Sequence, residues 1–371
     1  MSKTVKTRLN NLALRRTGFK KAGPFEMGMD ALSEVYSAPP EERYQRRATQ
    51  ENTKYALGAM QEVEPKYTRV SLSEADRVRG QLQTGFDTLK IAIDFKIQGS
   101  VAANLHIKGS SDVDMLLLDA RFYTYDTTGS KAQFGGYTSP YMKGATESLQ
   151  ELRIEAIEIL RNKYPTATVN AGPKAIGLSG GSLRRDVDVV PSHWHDTAEY
   201  QQLRQDYYRG VYILDNDQPD RLLNMPFLHI QRIDEKDRVA NGSLRKSIRL
   251  CKNVKVDFND EGGNIHLSSY DIAATMWHSN LHILKYSVYQ ELGILGETAR
   301  YLRFLQQNHL YAQTLVVPDG TSKIFDRPEK LESLATLSRE VTDLAIEVAI
   351  EQGGGGGWAE VEKSLRNSFL V

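Results

Sequence analysis

Apolar positions along the chain change period twice. Over residues 26–93 they recur at helical spacing, broken at Pro39-Pro40, and the best stretch opens on Ser73 and Asp76, spaced as a capping box, with an apolar face running toward Ile91. From Phe95 the texture becomes short β-rich runs at 95–98, 113–118, 166–170, 175–178 and 183–190, interrupted by one amphipathic helix over 146–163. Gly180-Gly181 between the last two runs predicts a hairpin turn and an antiparallel pair. After Pro219 strand character fades and helical periodicity returns over 243–256, 269–292, 298–310 and 328–351, with a turn-rich loop at 317–321. Five glycines at 353–357 predict a mobile joint before a short tail from Trp358. The pattern therefore predicts an α+β chain in four parts: a helical N-terminal region and spine (1–93), a sheet lobe (94–218), a helical lobe (219–352) and a glycine-tethered tail (353–371).

Composition narrows the partners. Hydrophobic residues at 40% and charged residues at 25% fit a folded globular protein and exclude wholesale disorder. Lys plus Arg and Asp plus Glu each total 47, so there is no overall positive footprint for holding nucleic-acid phosphates. The single cysteine, Cys251, excludes an internal disulfide framework and a Cys-rich zinc site, and it fits a reducing, cytoplasmic setting. The richest apolar run, 115–118, is strand-sized, which predicts no membrane span. Residues 1–24 carry seven basic side chains and no acidic one, without the apolar stretch of a signal peptide. They read as a solvated or frayed arm; the alternative is a partner or nucleic-acid contact through Lys3, Lys6, Arg8, Arg15, Arg16, Lys20 and Lys21.

The chemistry concentrates after Gln98-Gly99-Ser100. Twelve residues beyond the serine, Asp112-Val113-Asp114 heads an apolar strand, and residues two apart in a strand share a face, so the two carboxylates emerge together. Such hard oxygen ligands suit Mg²⁺ accompanied by substrate phosphates. A second strand, Asp186-Val187-Asp188-Val189-Val190-Pro191, supplies a third carboxylate, Asp188, with Asp186 as the alternative. Three carboxylates can hold the metal pair used in phosphoryl or nucleotidyl transfer. Gly99 and Ser100 would bring backbone N–H groups and a hydroxyl to phosphates. Downstream, Lys252 lies at the edge of the stripe formed by Leu244, Ile248, Cys251 and Val254, with Lys255 nearer its middle as a competitor. Ser268-Ser269-Tyr270 opens a helix, a place suited to anions. The plainer alternatives are Ser269 as an ordinary N-cap, Lys252 as a surface lysine and Tyr270 as a half-buried helix residue. His193-Trp194-His195-Asp196 reads as a loop rather than a metal site, and His278 and His282 as ordinary helix residues.

Taken in order from Gln98 to Tyr270, these motifs resemble the DNA polymerase β-like nucleotidyltransferase superfamily. Within it they most resemble the cGAS/DncV-like nucleotidyltransferases, bacterial enzymes of anti-phage signalling. The resemblance implies a polymerase β-like sheet lobe packed with a helical bundle lobe around a central cleft. It implies two Mg²⁺ ions, or Mn²⁺, on Asp112, Asp114 and Asp188, and donor phosphates on Gly99 and Ser100. Lys252, Ser268 and Ser269 would hold the triphosphate and Tyr270 would stack on a base. Nucleoside triphosphates would serve as donor and acceptor, condensing into a cyclic di- or trinucleotide second messenger that acts through a downstream effector. No membrane and no obligatory nucleic acid are expected, and room is left for a regulatory protein partner. Residues 101–105, Val-Ala-Ala-Asn-Leu, depart from the aromatic or basic residue and threonine of many relatives on the acceptor side. The rival readings are a nucleotidyltransferase modifying a tRNA, protein or small molecule, and a non-catalytic nucleotide sensor.

Overall fold

The computed structural model describes residues 2–17, 42–109, 112–218, 220–280 and 289–370; Pro39-Pro40, Lys20, Lys21 and His282 lie outside them. In chain order the main elements are α1 (Ser2–Thr17), α2 (Glu51–Met60), α3 (Pro65–Thr88), β1 (Ile93–Gln98), α4 (Gly99–Ala102), β2 (Val113–Asp119), β3 (Thr124–Tyr125), α5 (Ala145–Lys163), β4 (Thr168–Ala171), β5 (Ile176–Ser179) and β6 (Val187–Asp196). They continue with β7 (Arg209–Asp215), β8 (Asp220–Asn224), α6 (Pro226–Val239), α7 (Ser243–Asp260), α8 (Ser269–Trp277), α9 (Glu291–Gln307), α10 (Pro328–Glu351) and α11 (Trp358–Asn367). Two compact units emerge. A sheet unit comprises Glu64–Ala103 and Asp112–Arg232, and a helical unit comprises Met1–Val63, Asn104–Ser111 and Ile233–Val371. The N-terminal region read as one piece is thus divided at Val63, and the short segment 104–111 belongs with the helices.

In the sheet unit the strand order is β1-β2-β6-β5-β4, with β3 and β7 also on β6, and β8 on β7. β2 and β6 run parallel, and β5 and β6 run antiparallel as Gly180-Gly181 predicts, but the connection spans 180–186 and the run expected from 183 becomes strand only at Val187. Alternation sorts the side chains. Met115, Leu117, Ile176, Leu178, Val187 and Val189 meet Val78, Leu82 and Phe86 of α3 and Leu149, Leu152 and Ala156 of α5 in one core. Leu116, Leu118, Val190, Val211 and Ile213 form a smaller core on the other face, with Trp194 and Phe227 against it. The strands do not fade at Pro219, because β8 pairs with β7 from Val211 to Asp215. Nor is 193–196 a loop: β6 carries on through Asp196 because β7 supplies its hydrogen-bonding partner, Ser192 opposite Ile213 to Asp196 opposite Arg209.

In the helical unit α7 is the central helix, buried nearly all round, with α1, α2, α8, α9 and α10 packed about it. The helix read over 269–292 ends at Trp277, and that read from 298 starts at Glu291; an apolar period does not reveal the turn at His278 and Ser279. The basic start of the chain is a docked helix. Arg15 grips Asp257 of α7 at 2.5 and 2.8 Å, and Arg8 holds Glu261 and Glu340, so their charges are spent inside the unit. The glycine run likewise leads to a packed helix, not a free tail, since Val361 and Leu365 of α11 are fully buried against α9 and α10. Among the described residues no helix is long and apolar enough to cross a membrane.

Candidate active site

Parallel pairing of β2 with β6 sets Asp114 directly beside Asp188. Residues level with one another on adjacent strands share a face, so both acids lie on the Leu116 and Val190 side of the sheet. Asp112 stands exposed immediately before β2, where the Val113 N–H donates to the Asp186 carbonyl at 3.2 Å. Asp188, rather than Asp186, is therefore level with Asp114. Burial, and then the charges of Asp112 and Asp186, push the Asp188 carboxyl above the ordinary carboxylate range.

Gln98 ends β1 opposite Asp114, so Gly99 turns away from the sheet right beside that acid. Its φ is +71°, and a Cβ there would run into Asp114 Oδ2. Val101, next along in α4, packs with Ala75 of α3 and Val113 of β2 and anchors the Gly99-Ser100 turn.

The remaining candidates lie in the helical unit. Lys252 is buried on α7, not a surface lysine, and its Nζ donates to the Leu105 carbonyl at 2.7 Å. One turn earlier Arg249 donates to the Asn104 carbonyl at 2.7 Å, while the Asn104 amide donates to Glu62 at 2.7 Å. Two neighbouring carbonyls of the 104–111 segment are thus held by two cations spaced i, i+3 on one helix. Sequence reading missed Arg249, although that spacing from Lys252 was the available signal. Lys255 Nζ donates to the Leu267 carbonyl at 2.6 Å, just before α8, and burial lowers its pKa.

At the start of α8 the N-cap is Ser268, not Ser269. Its hydroxyl oxygen accepts from the Asp271 N–H at 3.0 Å, and Asp271 accepts in return from the Ser268 N–H at 2.8 Å. Lys330 pairs with Asp271 at 2.9 Å from the other side. Ser269 and Tyr270 are exposed, and the Tyr270 hydroxyl donates to Asp319 in the 317–321 loop. The histidine cluster is fully engaged in the sheet. Burial depresses His193 to a pKa of about 4; its Nε2 accepts from Arg221 at 3.1 Å, and Asp196 pairs with Arg209 at 2.8 Å.

Among the described residues no three His, Cys, Asp or Glu side chains are gathered closely enough to hold a metal ion, so the acids are aligned in the sheet but not closed on one centre. The donor set nevertheless fits a hard divalent cation: oxygen ligands, level on two strands, with mutual repulsion at Asp188 that such a cation would relieve.

Over 302 residues, 81% of this chain and 78% of the relative, the sequence is 44% identical to the cyclic dinucleotide synthase CdnE of Yersinia aleksiciae. The chain belongs to the cGAS/DncV-like nucleotidyltransferase family. It is a nucleotidyltransferase, as the motifs implied. Residues 231–344 match the model of the cGAS/DncV-like nucleotidyltransferase C-terminal helical domain. A c-di-GMP synthase of Capnocytophaga granulosa is 32% identical over 311 residues, 78% of this chain and 85% of the relative. The solved structure of the STING-associated CdnE c-di-GMP synthase from Capnocytophaga granulosa superposes with a TM-score of 0.67 at 28% identity, over 92% of this chain and 97% of that one. These likenesses bear out the α+β nucleotidyltransferase fold class.

Proposed function

We propose that this family member condenses nucleoside triphosphates into a cyclic dinucleotide, with GTP the favoured substrate, as a second messenger in bacterial anti-phage signalling. The level placement of Asp114 and Asp188 beside Gly99 carries the catalytic part of the reading. The CdnE and c-di-GMP synthase relatives support the dinucleotide product and the guanine base. Asp112, Asp114 and Asp188 would hold Mg²⁺, or Mn²⁺, as two ions, which when bound would supply a lowered pKa for an attacking hydroxyl and neutralisation of phosphate charge.

A ribose hydroxyl of the acceptor attacks the α-phosphorus of the donor, a new phosphodiester forms, and the bond to pyrophosphate breaks; a second attack closes the ring. Gly99 presents backbone to the donor phosphates without a side chain in the way, and Ser100 adds a hydroxyl. Lys252, Ser268 and Ser269 bind triphosphate oxygens. For Lys252 this means exchanging or sharing its bond to the Leu105 carbonyl. Tyr270 stacks on a base, fixed at its hydroxyl by Asp319.

The test incubates the purified chain with all four ribonucleoside triphosphates and Mg²⁺ or Mn²⁺, followed by phosphatase and mass spectrometry, beside an Asp112→Ala control. A phosphatase-resistant cyclic dinucleotide, absent from the control, is expected. Pyrophosphate released only when a tRNA, protein or small-molecule acceptor is added would replace this reading with a modifying enzyme.

A further inference from the structure

Gly177 sits in the interior of β5, and its backbone is one that any residue adopts. A strand glycine forfeits packing and costs chain entropy, so its presence marks either a crowded neighbour or a close approach by something else. The flanking residues Ile176 and Leu178 face the large core, which puts Gly177 on the opposite face. Its register partners are Asp188 on β6 and Asn170 on β4. One row therefore crosses five strands: Gln98, Asp114, Asp188, Gly177, Asn170.

A Cβ at position 177 would stand 3.3 Å from Asp188 Oδ1, tighter than ordinary van der Waals contact, and its next neighbours are Asn170 atoms at 3.8 and 3.9 Å. Gly210 in β7 is different. There a Cβ would strike the Leu223 and Met225 side chains at 2.7 and 3.2 Å, so apolar side-chain crowding explains that glycine. At Gly177 the crowding atom is a carboxylate oxygen.

We propose that Gly177 is a positioning residue for Asp188: by carrying no side chain, it keeps open the space in which the carboxylate turns onto a divalent cation that retains its waters. This rests on the reading of Asp188 as a metal ligand. Mg²⁺ keeps several waters when it binds proteins, so one methyl group beside a ligand oxygen competes with both the carboxylate's orientation and that hydration.

The experiment follows the rise in thermal midpoint with Mn²⁺ concentration, in the presence of a non-hydrolysable GTP analogue, for the native chain, Gly177→Ala and Asp188→Asn. Product formation is measured in parallel. Alanine in a strand restricts the unfolded chain, so without metal Gly177→Ala is expected to melt no lower than native. Its half-saturating Mn²⁺ concentration should rise about ten-fold, the scale on which groups around a metal ligand act, with a matching fall in turnover. An unchanged Mn²⁺ midpoint in Gly177→Ala, with the response abolished in Asp188→Asn, would overturn the role of Gly177 and leave the metal reading standing. A full response in Asp188→Asn would sink the metal reading, and this inference with it. If Gly177→Ala alone unfolds, Gly177→Ala with Asp188→Ala decides: recovered stability supports the clash with the carboxylate, and continued instability makes Gly177 a packing glycine and overturns the proposal.

Discussion

Gly99 is constrained from two directions. Its left-handed backbone disfavours a side chain by about 1–2 kcal/mol, and the Asp114 carboxylate occupies the space that a Cβ would take. Gly99→Ala is therefore expected to displace Asp114 and lower turnover by at least about 100-fold, comparable to losing a catalytic group, while lowering the thermal midpoint by only a few degrees. Steady-state kinetics beside a melting curve would check this; native turnover in the variant would remove Asp114 from the site. At this scale strand alternation names Asp112, Asp114 and Asp188 as candidates; the register sets Asp114 level with Asp188, while Asp112 falls just before β2. A helical wheel, however, gives Lys252 a face and not a neighbour, so its bond to Leu105, about 150 residues away in sequence, was out of reach. Ser268 and Ser269 are equally good caps by type, and only the reciprocal bond from Asp271 selects the first.

Among the elements, legibility followed how local the determinants are. α10 was read over its full span because proline at its start and an unbroken apolar stripe lie within the helix itself. β6 was cut short because its last residues look like a polar loop until β7 is known to lie beside them. α11 was read as a mobile tail because the glycines before it are conspicuous, whereas the surface that receives Val361 and Leu365 is assembled from distant helices. Arg303 also stacks over Trp358, 4.3 Å from the ring centroid. Val361→Asp would bury an unpaired carboxylate in that contact and is expected to cost about 3 kcal/mol or more. Thermal unfolding of the full chain would show it; a midpoint unchanged from native would mean that α11 contributes nothing to the helical unit.

For the molecule as a whole, 47 basic residues balance 47 acidic ones, and part of the positive excess over residues 1–24, at Arg8 and Arg15, is neutralised far along the chain. Asp257 is fully buried and accepts both from Arg15 and from the Tyr55 hydroxyl at 2.6 Å. Arg15→Ala leaves that carboxylate buried with one neutral donor, and breaking such a pair costs about 3–5 kcal/mol. A fall in thermal midpoint of roughly 10 °C is the expected result at about 2–4 °C per kcal/mol, and Arg15→Ala with Asp257→Asn should recover part of it. Absence of any such recovery would assign the loss to packing of α1 and not to the charge pair.

The same contact imposes an order of events during synthesis. Arg15 is added to the chain 242 residues before Asp257. At roughly 5–20 residues per second that interval is about ten to fifty seconds, during which Arg8 and Arg15 lack the acids that will neutralise them, whereas the partner of Arg16, Glu42, follows only 26 residues on. The helical unit therefore cannot close around α1 until the residues around Asp257 have been made.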